Sequence, residues 1–272
     1  MSFLESIVLG VVQGLTEFLP ISSNAHMRIT AALFGWSDPG AAFSAVTQIG
    51  TEIAVLLYFR KDILQIIKAF LKGLTGRAHR KGNDWRLAIF IIIGSLPIAI
   101  LGIALKDPIE NQFRSLKIIA ASLILFAVII GLIDRRAKGS RELASLTLSD
   151  SIKFGLAQSL ALIPGVSRSG GTIAAGLALG YSRVSAARYS FLLAIPAVLG
   201  SGGLELRKIG GADSPSWGPT FLATIIAFGV GYLVIAWLLK FLTTHTFRGF
   251  MIYRVLVGLA VLAAIGTGAI SG

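Results

Sequence analysis

The chain is 272 residues long, 54% hydrophobic and only 14% charged, where a soluble domain carries roughly 25% charged residues, so a water-soluble globular domain is excluded. It has no cysteine, which removes disulfides, thiolate ligands and a cysteine nucleophile from consideration. The net charge of +12 gathers in a few short stretches between apolar segments, the pattern of loops facing anionic lipid and cytoplasm, and no nucleic-acid partner is expected.

The first apolar stretch, about Phe3 to Phe34, lacks the basic start and small-residue cleavage site of a signal peptide and is expected to remain in the mature protein. It is not a clean span, because Glu17, Pro20, Ser22, Ser23, Asn24, His26 and Arg28 fall at membrane depth. Irregular polar backbone is tolerated there only where protein or a watery cavity receives it, so the stretch reads as a re-entrant helical hairpin. Three segments of the length a bilayer requires follow: Ala41 to Phe59 with Glu52 as its one charge, Leu87 to Leu105, and Ile118 to Ile133. The basic stretch Arg60 to Arg86 reads as a loop between the first two. A second broken stretch, about Ser151 to Gly180, carries Pro164, Gly165, Ser167, Arg168, Ser169, Gly170 and Gly171 and reads as a second hairpin. Three more crossings complete the chain: Tyr189 to Leu204 with Pro196 inside, Trp217 to Leu239, and Gly249 to Ile270 with Arg254 near its start. Trp36, Trp85 and Trp217, near segment ends, suit interfacial anchoring.

The two broken stretches resemble each other. Gln13 with Ser22 and Gln158 with Ser167 share one spacing, offset by 145 residues, and Phe43-Ser44 is echoed by Tyr189-Ser190. A unit of three crossings plus a hairpin that returns to its own side must reappear upside down. The expected fold is therefore an all-α polytopic membrane protein of two inverted repeats, residues 1–140 and 141–272, each with one re-entrant hairpin and three transmembrane helices. The short loops at one side, Arg60 to Arg86, Asp134 to Lys153, Arg183 to Arg188 and Lys240 to Arg254, carry eight, five, two and three basic residues. Those at the other, Lys106 to Lys117 and Glu205 to Ser216, carry three and two, and Phe34 to Gly40 carries none. That bias places both termini outside the cytoplasm, with the first hairpin entering from the outer face and the second from the inner.

Two constellations could do chemistry. In Gln13-Gly-Leu-Thr-Glu17-Phe-Leu-Pro20-Ile-Ser22-Ser23-Asn24-Ala25-His26, a carboxylate at membrane depth costs about 2.5 to 3.5 kcal/mol and demands a partner, for which a metal ion or proton traffic would serve. Ser23 and His26, three apart on a helical turn, share a face within possible hydrogen-bond reach, so either could attack phosphorus with the other assisting. The plain structural alternative is a helix break satisfied by Glu17 and an interfacial histidine. In Pro164-Gly-Val-Ser167-Arg168-Ser169-Gly170-Gly171-Thr172, small residues allow backbone N–H groups to approach an anion. A helix starting after the break would point its positive end there, and Arg168 offers a fork that suits phosphate oxygens. The alternative is a glycine-rich turn with a snorkelling Arg168. Glu52 either lines the same cavity and helps hold a cation, or pairs with a nearby arginine or hydrogen-bonds while protonated.

At these motifs the sequence resembles the undecaprenyl-diphosphate phosphatase family, also called the bacitracin-resistance family, through Gly-Leu-Thr-Glu17-Phe-Leu-Pro-Ile-Ser-Ser-x-x-His26 and Pro-Gly-Val-Ser167-Arg168-Ser-Gly. The resemblance spans nearly the whole chain. It implies a multi-pass enzyme of the bacterial plasma membrane that removes the terminal phosphate of a polyprenyl (undecaprenyl) diphosphate, recycling the carrier for cell-wall (peptidoglycan) synthesis, with links to bacitracin resistance and cell shape. It also implies a divalent cation, Mg or Ca, and membrane lipid as the surroundings. Carried over residue by residue, it assigns the motif acid, also a metal ligand, to Glu17, the candidate nucleophile to Ser23, the essential histidine to His26 and the phosphate-binding arginine to Arg168. Gln13, Ser22, Asn24, Ser167, Ser169 and Gly170 fall at supporting, substrate-binding positions. Many family members have a glutamate where this chain has Gln13, and Glu52 is the candidate to restore that charge at a metal site. The inferred topology opens the site to the outer face. A transporter or flippase for a lipid or anionic substrate is the alternative, since inverted repeats with broken helices are transporter architecture. The residues specify no oligomeric state; a homodimer is the assembly expected if the chain associates with itself.

Overall fold

The computed structural model describes residues 1–105, 112–211 and 215–271. Lys106, counted above in the basic-residue bias, and residues 212–214 of the Glu205 to Ser216 connection lie outside the described residues, as does Gly272 at the end of the second expected repeat.

Eleven helices are present among the described residues and no strands: α1 (Phe3–Thr16), α2 (Ser23–Leu33), α3 (Gly40–Tyr58), α4 (Arg60–Thr75), α5 (Asn83–Ala104), α6 (Leu116–Arg136), α7 (Leu148–Ser159), α8 (Arg168–Ala178), α9 (Arg183–Glu205), α10 (Trp217–Phe241) and α11 (Arg248–Gly266). Six of them, α3, α5, α6, α9 (with its 3-10 extension to Lys208), α10 and α11, are long and apolar enough to cross a membrane. These match the six expected crossings, and the chain is a multi-pass membrane protein.

Both broken stretches are helix–break–helix units. Ser2 and Glu5 form a capping box that starts α1, and Thr147 with Asp150 form one that starts α7, each satisfying two N–H groups that lack intrahelical partners. At 14 residues, α1 is about 21 Å long, well short of the roughly 30 Å hydrocarbon core. It stops before Pro20, which has no N–H to continue the ladder. Chain direction then reverses through Ser22 (φ 75°) into α2, and through Ser167 (φ 74°) into α8. These are the two positive-φ non-glycine residues among the described residues, a conformation that costs about 1–3 kcal/mol and persists only where surrounding structure enforces it.

The halves pack reciprocally. Helix α1 lies along α10 and α7 along α5, while α3 contacts α9 and α10, and α6 pairs with α11. Small residues bring these backbones together: a Cβ on Gly155 of α7 would sit 2.2 Å from the Gly94 carbonyl oxygen of α5, and one on Gly50 of α3 would sit 2.1 Å from the Thr224 carbonyl of α10. In lipid, where apolar burial between helices gains little, such close approach and interhelical hydrogen bonds hold helices together. The hydroxyl of Tyr189 on α9 donates to the Phe90 carbonyl (3.0 Å) and approaches Ser151 Oγ (2.9 Å), uniting α9, α5 and α7.

One expectation needs correction. The basic stretch after α3 is not simply a loop, because its first 16 residues form α4. Ile63, Ile66, Phe70 and Gly73 make a stripe against the rest of the protein, and Phe70 stacks on Trp85 at the start of α5 (5.6 Å between centroids). Leu64, Ile67, Leu71 and Leu74 form a second, exposed stripe, and Lys61, Lys68 and Lys72 sit on a third face. Three stripes of this kind are what a helix lying in a membrane interface needs. The other boundaries moved slightly: α7 begins at Leu148 rather than Ser151, α9 at Arg183, and the last span ends at Gly266.

Candidate functional site

The two helix breaks meet. The N–H of Gly165 donates to Ser22 Oγ (3.2 Å) and Ser169 Oγ donates to the Leu19 carbonyl (3.1 Å), so each break supplies what the other lacks. At this junction Arg168, first residue of α8, places Nη2 2.7 Å from Glu17 Oε1. The second oxygen, Glu17 Oε2, accepts from Gln13 Nε2 (2.8 Å), one turn back on α1, and from Ser23 Oγ (2.5 Å), first residue of α2. Glu17, Gln13, Ser22 and Ser23 are all buried, and both carboxylate oxygens of Glu17 accept from side-chain donors.

Glu52 reaches the same guanidinium from α3, with Oε2 3.9 Å from Arg168 Nη2. It is 1% exposed, and its Oε1 has no hydrogen-bond partner among the described residues. The same holds for Gln13 Oε1, Asn24 Oδ1 and Arg168 Nη1. Two carboxyl groups flank one guanidinium at a buried position, where an unneutralised charge is costly. The unpartnered oxygens of Glu52 and of Gln13, whose amide nitrogen donates to Glu17, are hard donors of the kind Mg²⁺ or Ca²⁺ takes. No group of three or more His, Cys, Asp or Glu residues among the described residues could cage a metal unaided. The donor set fits an ion held by one or two carboxylates and completed by substrate oxygens.

The expected Ser23–His26 hydrogen bond is not made. The Ser23 hydroxyl is directed to Glu17, while His26 Nδ1 lies 2.8 Å from the Ser22 carbonyl and Nε2 2.9 Å from the Tyr253 hydroxyl. A carbonyl only accepts, so this geometry assigns the hydrogen to Nδ1 and leaves Nε2 as acceptor. The helical spacing put both side chains on the correct helix, but each found a partner on another segment.

The second motif is used differently from a simple glycine cradle. Ser167 caps α8 by accepting from the Gly170 N–H (3.1 Å), and Ser167 and Ser169 share a hydroxyl contact of 3.2 Å. Gly170 sits in close packing, since a Cβ there would lie 3.0 Å from Ile130 Cδ1 and 3.2 Å from Ser167 Oγ. Groups suited to an anion remain: the unpartnered Arg168 Nη1, and the N-terminus of α2, where Ser22 supplies no side-chain cap to the first-turn N–H groups.

Two residues that shape the site carried no site role in the sequence reading. Arg254 is fully buried and donates to the carbonyls of Pro20 (2.8 Å), Gly165 (2.6 Å), Val166 (3.1 Å) and Leu123 (3.3 Å). Its neighbour Tyr253 holds His26 and stacks on its ring at 5.5 Å and 12°. The available signal was an arginine inside an otherwise apolar crossing.

The model of the family described as bacitracin resistance protein BacA matches residues 6–260. Among curated proteins, the chain is similar to "Undecaprenyl-diphosphatase 2" of Streptomyces avermitilis (53% identical, covering 100% of this chain and 97% of that protein). It is also similar to "Undecaprenyl-diphosphatase 2" of Streptomyces coelicolor (54%, 100% and 97%) and to "Undecaprenyl-diphosphatase" of Nocardioides sp. (54%, 99% and 98%). With both motifs assembled at one buried junction and the family model running nearly end to end, the chain belongs to the bacitracin resistance protein BacA family.

Proposed function

We propose that the chain is an undecaprenyl-diphosphatase, hydrolysing undecaprenyl diphosphate to the monophosphate and inorganic phosphate and so returning the carrier for cell-wall synthesis. The observation that carries this reading is the Ser23–Glu17–Arg168 chain of contacts, a hydroxyl on a carboxylate that is itself held by a guanidinium, alongside relatives bearing that name.

The terminal phosphate of the substrate binds Arg168 through the free Nη1 and the first-turn N–H groups of α2. Ser23 Oγ attacks phosphorus, its proton passes to Glu17 Oε2, and the bond from phosphorus to the bridging oxygen breaks, releasing polyprenyl monophosphate. Water then cleaves the phosphoserine, with inorganic phosphate leaving and Ser23 regaining its proton. The 2.5 Å contact to Glu17 favours Ser23 over His26 as nucleophile, since both His26 nitrogens are engaged elsewhere. Glu17 and Glu52 would hold a divalent cation, Mg or Ca, with the unpartnered Gln13 oxygen as a further donor. Such an ion neutralises charge building on the phosphate oxygens.

The chain is read as two inverted repeats, residues 1–140 and 141–272. Ser6, Gly10, Gln13 and Ser22 have counterparts 145 residues on in Ser151, Gly155, Gln158 and Ser167. The α1–α10 and α7–α5 pairings support this, as does the shared backbone turn at Ser22 and Ser167. The basic-residue bias favours a plasma-membrane protein whose site opens to the outer face, the polyprenyl tail staying in lipid.

The test is phosphate release by purified protein from C15 and C55 polyprenyl diphosphates, with and without chelator. Chelator-sensitive release supports the reading. Movement of intact lipid across a bilayer without release would support the transporter alternative and remove this one.

A further inference from the structure

The functional reading uses residues from the two hairpins and α3, yet a fully buried guanidinium beside both breaks belongs to α11. Arg254 is 0% exposed and has no carboxylate partner among the described residues. Four backbone carbonyls take its N–H groups, and they come from three separate segments: Pro20 in the first break, Gly165 and Val166 in the second, and Leu123 in α6. Burying a guanidinium without a counter-ion is expensive and is tolerated only when its donors are satisfied. The carbonyls gain equally. Where a helix is broken at membrane depth, the freed C=O groups have no water to bond, and each costs several kcal/mol if left alone. Arg254 answers both breaks at once.

That placement has a geometric result. Pro20 follows Glu17 by three residues, and Val166 precedes Arg168 by two. Because a single planar group binds Pro20 and Val166 through the same nitrogen, Nη1, the guanidinium adds a rigid link between the breaks to the Ser22 and Ser169 hydroxyl contacts. The adjacent Tyr253 extends the same helix to the third site element. Its hydroxyl lies 2.9 Å from His26 Nε2 and its ring stacks on the imidazole, and with the Ser22 carbonyl on Nδ1 this fixes both the plane and the tautomer of His26.

We infer that Tyr253 and Arg254 are positioning residues of the site: Arg254 locks the two helix breaks in register so that Glu17 and Arg168 meet, and Tyr253 orients His26. This inference rests on the phosphatase reading for its kinetic consequence, but its structural consequence is independent of that reading. Neither residue is assigned a step in the chemistry. A misplacement of about 1 Å from a supporting position costs on the order of 10²-fold in rate, and loss of an orienting hydrogen bond to a functional imidazole about 10- to 100-fold.

The experiment uses the full chain in detergent micelles, comparing wild type, Arg254→Lys and Tyr253→Phe. It measures phosphate release from a C15 diphosphate, thermal unfolding, and amide hydrogen exchange in peptides covering residues 17–23 and 163–168. Arg254→Lys keeps the charge but lacks the fork. It is expected to raise exchange in both break peptides together, while the α3 and α10 peptides keep theirs, and to lower kcat about 100-fold per folded molecule. Tyr253→Phe keeps the ring and is expected to leave unfolding unchanged, lower kcat about 10-fold with KM within about twofold, and displace the acid limb of the pH–kcat profile. Exchange in Arg254→Lys that matches wild type, or that rises throughout the protein alike, overturns the register role whatever the activity. An unchanged kcat and pH profile in Tyr253→Phe overturns the orienting role. If wild type itself releases no phosphate, the phosphatase reading falls, while coupled exchange of the two breaks still supports the register role and its absence still overturns it.

Discussion

Arg168 Nη2 lies 2.7 Å from Glu17 Oε1, joining two residues 151 positions apart in the chain and belonging to different helix breaks. A carboxylate and a guanidinium, each costly alone at membrane depth, become affordable as a pair. The second carboxylate oxygen is thereby left to organise Gln13 and Ser23. The pairing converts two expensive irregularities into one site.

Glu17→Gln removes the acceptor for the Ser23 proton while preserving size. Phosphate release should fall about 10²- to 10⁴-fold, with a stability loss of about 1–3 kcal/mol because Arg168 loses its counter-ion while keeping some access to solvent. Glu52, 3.9 Å from the same nitrogen, is then the one carboxyl left to Arg168 among the described residues, and steady-state kinetics and thermal unfolding check both effects. Activity within about threefold of wild type would remove Glu17 as the base.

Glu52→Gln tests the second carboxylate. Its Oε1 has no partner among the described residues and its Oε2 sits 3.9 Å from Arg168 Nη2, which makes it the proposed cation ligand in a chain whose position 13 is an amide. The variant should need about 10- to 100-fold more divalent cation for half-maximal activity, read from a titration of Mg²⁺ or Ca²⁺ into chelator-treated protein. An unchanged titration would return Glu52 to a purely local role beside Arg168.

Asp150, in the first turn of α7, predicts a pH dependence. Burial opposes its ionisation, but hydrogen bonds from the Tyr181 hydroxyl, Thr147 and Arg141 outweigh it and hold its carboxyl at about 2, against an ordinary 3.8. A lowered carboxyl contributes stability that is complete above the ordinary value and disappears as pH falls through the folded one. Asp150→Asn should therefore be less stable than wild type by on the order of 2 kcal/mol at neutral pH, and the gap should close between about pH 4 and pH 2. Unfolding curves at several pH values decide it, and a gap independent of pH would contradict the assignment.

Gly155→Leu addresses the packing. Even a single Cβ at this position would meet the Gly94 carbonyl oxygen at 2.2 Å, so α7 cannot keep its place on α5. The melting temperature should drop, with a cost of about 1–3 kcal/mol or more. The same change at Gly229, where an added Cβ meets nothing within 4 Å among the described residues, should be nearly neutral.

How far the sequence carried the reading follows from which signals were local. Pro20, Pro164 and the polar residues around them interrupt apolar runs, so both hairpins and the Glu17 and Arg168 motifs were legible without a structure. The α4 helix was not, because Lys61, Lys68 and Lys72 lower its apolarity while its stripes alternate on three faces. The partner of His26 was not legible either. Tyr253 is 227 residues away, and nothing in helical spacing competes with a contact made by the fold. Arg254 stood out as a charge in an apolar span, but its work is done on backbone carbonyls, which leave no trace in side-chain patterns.

In the proposed enzyme the arginine of one break and the acid of the other act on one diphosphate. The measurement closest to this joint action is inorganic phosphate released from undecaprenyl diphosphate by purified Arg168→Ala, beside wild type and with folding checked by thermal unfolding. The account predicts folded protein whose release falls by about 10²-fold or more; release at the wild-type rate would contradict it.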